Sequence, residues 1–504
     1  MSELPDVHDP AQRLAATQRA RRPVDPAVLD HVAQHATTSA QERSIDALAQ
    51  GVAVVTGQQC GLFGGPLYTL HKATAAIVNA RALQEETGIP CAPVFWIQDE
   101  DHDVDEIRTA TLLGTDGELH RATVDADPAR AGCRVADQLL GSSIHDALDV
   151  LSHALGGLPY GSQVEGWFRD THRPDVSWSQ AFLPVMQRLL AEHGLLFVDA
   201  ADPALQAAAA PVHARAIEQA GPIAEALLAR AEVLEARGDR VPVHVRPGAP
   251  LSFVHPDGLG DPRYRCQSQR AGWSLVGTDR TLSDDAVRAG PHSTSALLRP
   301  ILQDTWLPTA CYVGGPGELA YLAQLPPLWP LFDLPVPLIA HRARFRLLDD
   351  PAHKLLDRLG LTPDEACAPR DQVLLALGSA GDGHTEPDDV AAAITAGLEQ
   401  LRAFATEAEA VDHNLHKMVT KTIGSLEHKA AKLSDRYRRT LARKDGVTSD
   451  RLDRLRARIC PDDAPQERVL AWPTFGARVG PDALIRRLLD TARPFDPSLV
   501  DVTL

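Results

Sequence analysis

Val52-Ala53-Val54-Val55-Thr56-Gly57-Gln58-Gln59-Cys60-Gly61-Leu62-Phe63-Gly64-Gly65-Pro66 is the stretch on which the fold of this chain turns. Its first five residues are mostly apolar and β-branched and read as a buried strand. The ten that follow hold four glycines and read as a loop. A helix comes next, marked by Leu67, Leu70, Ala73, Ile77 and Ala80 at spacings of three and four. Val94-Phe95-Trp96-Ile97 is a second strand, closed by the polar run Asp99-Glu100-Asp101-His102-Asp103-Val104-Asp105-Glu106. Strand, glycine loop, helix and strand make a βαβ-like unit, whose crossover is expected to be right-handed. Open parallel sheets bind ligands outside the carboxyl ends of their strands, where both the glycine loop and the acidic run lie.

Outward from this unit, Leu195–Val198, Leu307–Val313 and Val336–Ala340 are further apolar strands separated by helical stretches. The class is therefore α/β, with a parallel sheet at its centre. Residues 113–180 read as an insertion that decorates the sheet. Residues 240–290 read as a second, β-rich insertion. Its expected hairpin pairs Val241–Val245 with Leu251–Val254 around Pro247-Gly248, and Trp273–Val276 adds a strand. Gly378–Asp389 reads as a linker. Val390–Arg443 reads as one long helix carrying the heptad seam Val419, Ile423, Leu426, Ala430, Leu433 and Tyr437. Gly446 breaks it and Ser449–Ile459 returns, giving a helical hairpin that either pairs two subunits or packs within the chain. The expected domains are a core over 1–376, a linker and coiled coil over 377–460, and a segment over 461–504 that docks back on the core.

The chain has 504 residues, 44% of them hydrophobic and 23% charged, which suits a globular protein with a large core. A net charge of -17 argues against a nucleic-acid surface, which needs a basic footprint. No apolar run is long enough to span a bilayer and no signal pattern opens the sequence, so a cytoplasmic location is expected. The seven cysteines form no C-x-x-C pair, so neither a disulfide framework nor a zinc knuckle is indicated.

Three segments carry candidate chemistry. The first runs from Thr56 to Lys72. A glycine loop entering a helix offers backbone N–H groups to an anion, with Tyr68, His71 and Lys72 near the helix start. Neither a Walker A nor a G-x-G-x-x-G pattern is present. The second is the acidic run, where six carboxylates and a histidine would hold a divalent cation, bind an amine or position a base. The spacing of zinc-binding histidines is missing, so no metal site is assigned. The third is Arg299 to Tyr321, where Arg299 would clamp a carboxylate and Gly314-Gly315-Pro316-Gly317-Glu318 lets a ligand approach the backbone.

Val55-Thr56-Gly57-Gln58-Gln59, Gly65-Pro66-Leu67-Tyr68-Thr69-Leu70-His71-Lys72, and Phe95-Trp96-Ile97 with Glu100-Asp101-His102-Asp103 together resemble the bacillithiol biosynthesis cysteine-adding enzyme family. The likeness continues in Arg299-Pro300, Gln303-Asp304, Pro308-Thr309 and Gly314–Tyr321. It ends in Pro461 and Gln466–Leu470. It implies a Rossmann-like, nucleotidyltransferase-type core, connective insertions and a coiled coil that forms a homodimer. It also implies a carbon–nitrogen ligase that adds cysteine to glucosaminyl malate after carboxyl activation. ATP with Mg2+ is the activating nucleotide on this reading, with no tightly bound cofactor. His71 or His102 would be the base, and Asp101 or Asp103 would orient the amine. Thr56, Gly57, Gln58, Gln59, Gly64 and Gly65 would bind nucleotide phosphate or malate carboxylate, with Tyr68. Lys72 and Arg299 would balance anionic charge, with Gln303, Gly314, Gly315, Glu318 and Tyr321 around them. A metal-dependent hydrolase built on the acidic run and a non-enzymatic thiol- or nucleotide-binding dimer are the competing readings.

Overall fold

Val52–Gln59 (β1), Cys91–Gln98 (β2), Leu196–Asp199 (β3), Thr309–Gly314 (β4) and Leu338–His341 (β5) form one sheet in the computed structural model. The strand order is β3-β2-β1-β4-β5 and every neighbouring pair is parallel. This is the order of a Rossmann-type sheet, and its switch point lies between β1 and β4. The described residues are 4–270, 272–377, 385, 387–444 and 446–504. A parallel strand covered on both faces reads as an unbroken apolar run, which is why Val52–Val55 shows no alternation. β1 outlasts that run: Gly57, Gln58 and Gln59 still pair with Trp96, Ile97 and Gln98 of β2. Under the sheet Trp96 stacks on Trp306 at a ring separation of 5.4 Å.

The glycine loop packs instead of presenting its amides. The N–H of Gly61 goes to Gln59 O, Leu62 to Ile107 O, Gly64 to Gly61 O, Gly65 to Leu62 O, and Leu67 to Leu470 O. Gly64 sits at φ +87°, and a Cβ there would lie 2.6 Å from Nε1 of Trp472. The glycines of this loop therefore serve close packing against the segment around Trp472. Gly64→Ala combines a left-handed backbone with that overlap. Its expected cost is about 1–3 kcal/mol or more, read as a lower urea midpoint at unchanged slope.

The first insertion is a hairpin of Thr109–Leu113 and Leu119–Thr123 with the helix Ile144–Leu155 beside it. The second is a five-stranded antiparallel sheet that includes Ser252–Val254, Tyr264–Gln269 and His292–Thr294. The expected hairpin at Val241–Val245 does not form. Pro242, Pro247 and Pro250 have no N–H to give a ladder, and the Val243 backbone is bonded at both N and O by the Gln324 side chain. Ser252–Val254 pairs with the two later strands instead.

The chain divides into two compact units, one running to Leu347 and resuming over Glu467–Val502, the other over Leu348–Gln466. Residues 348–376, expected with the core, belong to the helical unit because Leu348, Ala352 and Leu356 pack on Leu455 and Ile459. The long helix expected over 390–443 is two, Pro387–Val411 and His413–Lys444. Asp412 ends the first and caps the second, its Oδ1 accepting from the N–H groups of Asn414 and Leu415. The two run antiparallel, since Arg402 meets Glu427 and Tyr437 donates to Thr385 O. Val419 and Ile423 of the seam pack on Ala405 and Ala408, while Leu426 and Leu433 stay 36% and 55% exposed. Residues 378–384 and 386 of the expected linker lie outside the described residues. No helix among the described residues is long and apolar enough to cross a membrane.

Candidate active site

A cavity of about 380 Å³ opens at the carboxyl ends of β1, β2, β4 and β5, at the switch point of the sheet. Gly57, Gln58 and Gln59 come from β1, Gln98 from β2, Gly315 follows β4 and Arg342 follows β5. Lys72 enters from the first turns of the helix Tyr68–Thr87 and is 3% exposed. Its Nζ donates to Gly57 O and Gln58 Oε1, both at 2.8 Å, and pairs with Glu318. Burial draws the Lys72 ammonium below its ordinary range, and Glu318 offsets part of that. Burial alone would raise the Glu318 carboxyl, but Lys72 and the Gly315 N–H outweigh it and hold it low.

Arg299 lies on the next wall. It donates to Gln303 Oε1 at 3.1 Å, Tyr312 Oη at 3.2 Å and Tyr321 Oη at 2.8 Å. The Tyr312 hydroxyl in turn donates to Glu318 Oε1 at 2.7 Å. These hydrogen bonds join Arg299 to neutral partners, while the nearby Glu318 carboxylate acts on its charge. Arg342 lies over the Tyr68 ring at 5.7 Å and reaches Glu467 at 3.0 Å. Arg468 also lines the cavity, in a chain whose net charge is -17.

Asp101 lines the cavity and accepts from Arg263 Nη2 at 2.5 Å. Arg263 also donates to Glu100 O at 2.8 Å and lies over Phe253 at 4.1 Å. Burial would raise the Asp101 carboxyl, but the hydrogen bond from His102 and the charge of Arg263 take it down to about 2. Arg263 Nε and Asp101 Oδ1 both lie within hydrogen-bond distance of His102 Nδ1, at 3.2 and 3.1 Å.

Of the residues expected at the site, Gly57, Gln58, Gln59, Tyr68, Lys72, Asp101, Arg299, Gly315, Glu318 and Tyr321 line the cavity. Gln303 and His102 stand behind it, holding Arg299 and Arg263. Thr56, Gly64, Gly65, His71, Asp103 and Gly314 do not line it. The Thr56 hydroxyl is spent on Val313 O at 2.8 Å. Gly314 lets the turn after β4 close on Leu319 and Glu318. Sequence reasoning missed Arg263, Thr294, Arg342 and Arg468. Arg342 had a usable signal, its place just past an apolar strand. Arg263 sits in the β-rich insertion with no local pattern to mark it.

Two expectations change. The acidic run is not one carboxylate cluster. Asp99 is fully buried, and burial and then Asp199 push its carboxyl well above the usual range. Glu100 accepts from Gln206 at 2.8 Å and Thr294 at 2.7 Å, Asp101 holds Arg263, and Asp105 holds Arg108. The carboxylates point to separate partners, so they offer no common cation site. His71 turns away from the cavity, fully buried and edge-on to Phe345 at 4.9 Å, with neither ring nitrogen hydrogen-bonded. Burial, then Arg342 and Arg344, keep its imidazole neutral. His71→Met is therefore expected to fold within about 1 kcal/mol of the parent at pH 8 and to keep its turnover. The depressed folded pKa means that the parent loses stability as pH falls below 6.5, at up to about 1.4 kcal/mol per pH unit, relative to the variant. Urea titrations of both proteins between pH 8 and pH 5, run as a pair, measure that difference.

The model of the family described as "Bacillithiol biosynthesis BshC, N-terminal Rossmann-like domain" matches residues 5–343, and its "C-terminal coiled-coil domain" matches residues 345–500. "Putative cysteine ligase BshC" of Salinibacter ruber is 32% identical over 484 residues, covering 92% of this chain and 86% of the relative. The protein of the same name from Koribacter versatilis is 33% identical over 457 residues, covering 89% and 84%.

Proposed function

This chain belongs to the bacillithiol biosynthesis BshC family, and we propose that its cavity joins cysteine to glucosaminyl malate through an amide. The single observation that supports the reading best, beside the family, is the mixed charge of the cavity lining. Lys72, Arg263, Arg299, Arg342 and Arg468 line it together with Asp101, Glu106 and Glu318. The substrates match this mixed charge, since each carries carboxylate and amine in one molecule. The malate carboxylates would lie toward Arg299 and Arg468, by paired hydrogen bonds that guanidinium makes well. The acceptor amine would lie against Asp101.

Asp101 is a poor base, because its carboxyl is held at about 2. Its part is to bind and orient the amine. A general base must lie within hydrogen-bond reach of the proton it takes, and His71 does not line the cavity. Neither histidine suspected from the sequence lines the cavity; His102 is the nearer, its Nδ1 lying 3.1 Å from the Asp101 carboxylate that does.

ATP with Mg2+, when bound, would supply the activation of the cysteine carboxyl. The residues fit its phosphates through arginine side chains and not through the glycine loop, whose amides at Gly61, Leu62, Gly64 and Gly65 are already bonded. Lys72, fixed to Glu318 and Gln58, holds the floor of the cavity and lends it positive charge.

The test is a mass-spectrometric assay of purified protein with cysteine and glucosaminyl malate, with and without ATP and Mg2+. The expected product is the condensed thiol, formed only with nucleotide. Condensed thiol without nucleotide would remove ATP from the scheme, and no condensed thiol in any mixture would remove the ligase reading.

A further inference from the structure

Asp116 lies in the tight turn of the hairpin Thr109–Leu113/Leu119–Thr123, His120 in its second strand, and His153 in the last turns of the helix Ile144–Leu155. One ligand atom from each lies within 4.8 Å of the other two. His120 Nε2 meets Asp116 Oδ2 at 3.1 Å, and the two imidazole rings stand 5.1 Å apart at 72°. None of the three lines the cavity described above. We propose that Asp116, His120 and His153 form a binding site for a divalent transition-metal ion.

An exposed His–Asp pair is ordinary by itself. Here a second histidine arrives from a separate element, and the turn is shaped around the cluster. A Cβ on Gly114 would fall 2.4 Å from Asp116 Oδ1 and 2.6 Å from His120 Nε2, so in this arrangement the ligand atoms lie against the glycine, where a Cβ would stand. The turn is also pinned. Gly114 N donates to Glu118 O at 2.9 Å, and Glu118 N to Asp116 Oδ1 at 3.0 Å.

Two imidazoles and one carboxylate suit Zn2+, Ni2+ or Co2+ rather than the all-oxygen preference of Mg2+ and Ca2+. Three protein ligands leave further positions to water, and the exposure of Asp116 and His153 allows exchange with solution. A bound ion would tie the hairpin turn to the helix.

Tag-free, metal-stripped protein titrated with Co2+ tests the site, with Zn2+ as competitor. Binding of one equivalent is expected, with a visible ligand-field band and no thiolate charge-transfer band. His120→Ala and His153→Ala should each weaken binding by more than the roughly 10–100-fold that loss of an outer-shell partner costs. His145→Ala, exposed on the same helix, should bind as the parent does. Absence of binding tighter than millimolar would overturn the proposal. So would a band that persists in both histidine variants, or a thiolate band showing that a cysteine site takes the ion.

Discussion

Lys72→Met is expected to lower the unfolding free energy by about 3–5 kcal/mol, because it leaves the Glu318 carboxylate buried without its ammonium partner. Glu318 keeps its bonds to the Gly315 N–H and the Tyr312 hydroxyl, and these alone do not neutralise a charge held at 21% side-chain exposure. Adding Glu318→Gln should return most of that stability, since an amide oxygen still accepts from Gly315 and no charge is stranded. Turnover should stay lost in the double variant, because the cavity floor no longer carries positive charge. Urea denaturation and the condensation assay, run on both variants, separate these effects. Recovery of turnover in the double variant would reduce Lys72 to a structural role. Parental stability in the single variant would mean that the pair contributes nothing to the fold.

Arg263→Ala carries the second large effect. Arg263 bonds the Glu100 carbonyl, Asp101 and His102 at once while lying over Phe253. Its removal takes an oriented positive charge from beside Asp101 in the cavity lining, and the expected fall in kcat/KM is about 100- to 1000-fold. The pH profile should move as well. Burial raises the Asp101 carboxyl and Arg263 helps to hold it at about 2, so without the guanidinium it returns toward 3.8. The acid limb of the profile then shifts to higher pH. Arg263→Lys should rescue little, since an ammonium cannot span the same set of acceptors or stack on the ring. A parental acid limb in the alanine variant would separate Arg263 from Asp101 and leave it a scaffold for the insertion.

The parallel core could be read from the chain because strands buried on both faces announce themselves as apolar runs. Val52–Val55, Val94–Ile97 and Leu195–Val198 are such runs, and all three fall in the sheet. The rule that ligands gather at strand carboxyl ends then placed Gly57–Gln59 and Asp101 correctly beside the cavity. What sequence could not supply was the use to which a residue is put. Four glycines read equally well as an anion cradle and as a close-packing device, and only Trp472 over Gly64 decides between them. His71 and Lys72 are neighbours on one helix, yet a turn of about 100° per residue sends one into the core and the other into the cavity. Arg263 and Arg468 reach the cavity through tertiary pairing across long sequence separations, which no local period encodes. The break at Asp412 is a different failure. Asp before His413-Asn414 is a helix N-cap signal, and the heptad spacing begins only at Val419, beyond it.

The return of Glu467–Val502 to the first unit sets the order in which this molecule becomes competent during synthesis. The helical unit is spelled out between the two parts of its host, so the sheet must wait, open at one side, while Leu348–Gln466 leave the ribosome. Arg468, the Glu467 partner of Arg342 and the Trp472 indole over Gly64 all arrive after that interval. A nascent chain halted anywhere in the helices therefore holds every strand of the parallel sheet yet lacks Arg468 of the cavity lining.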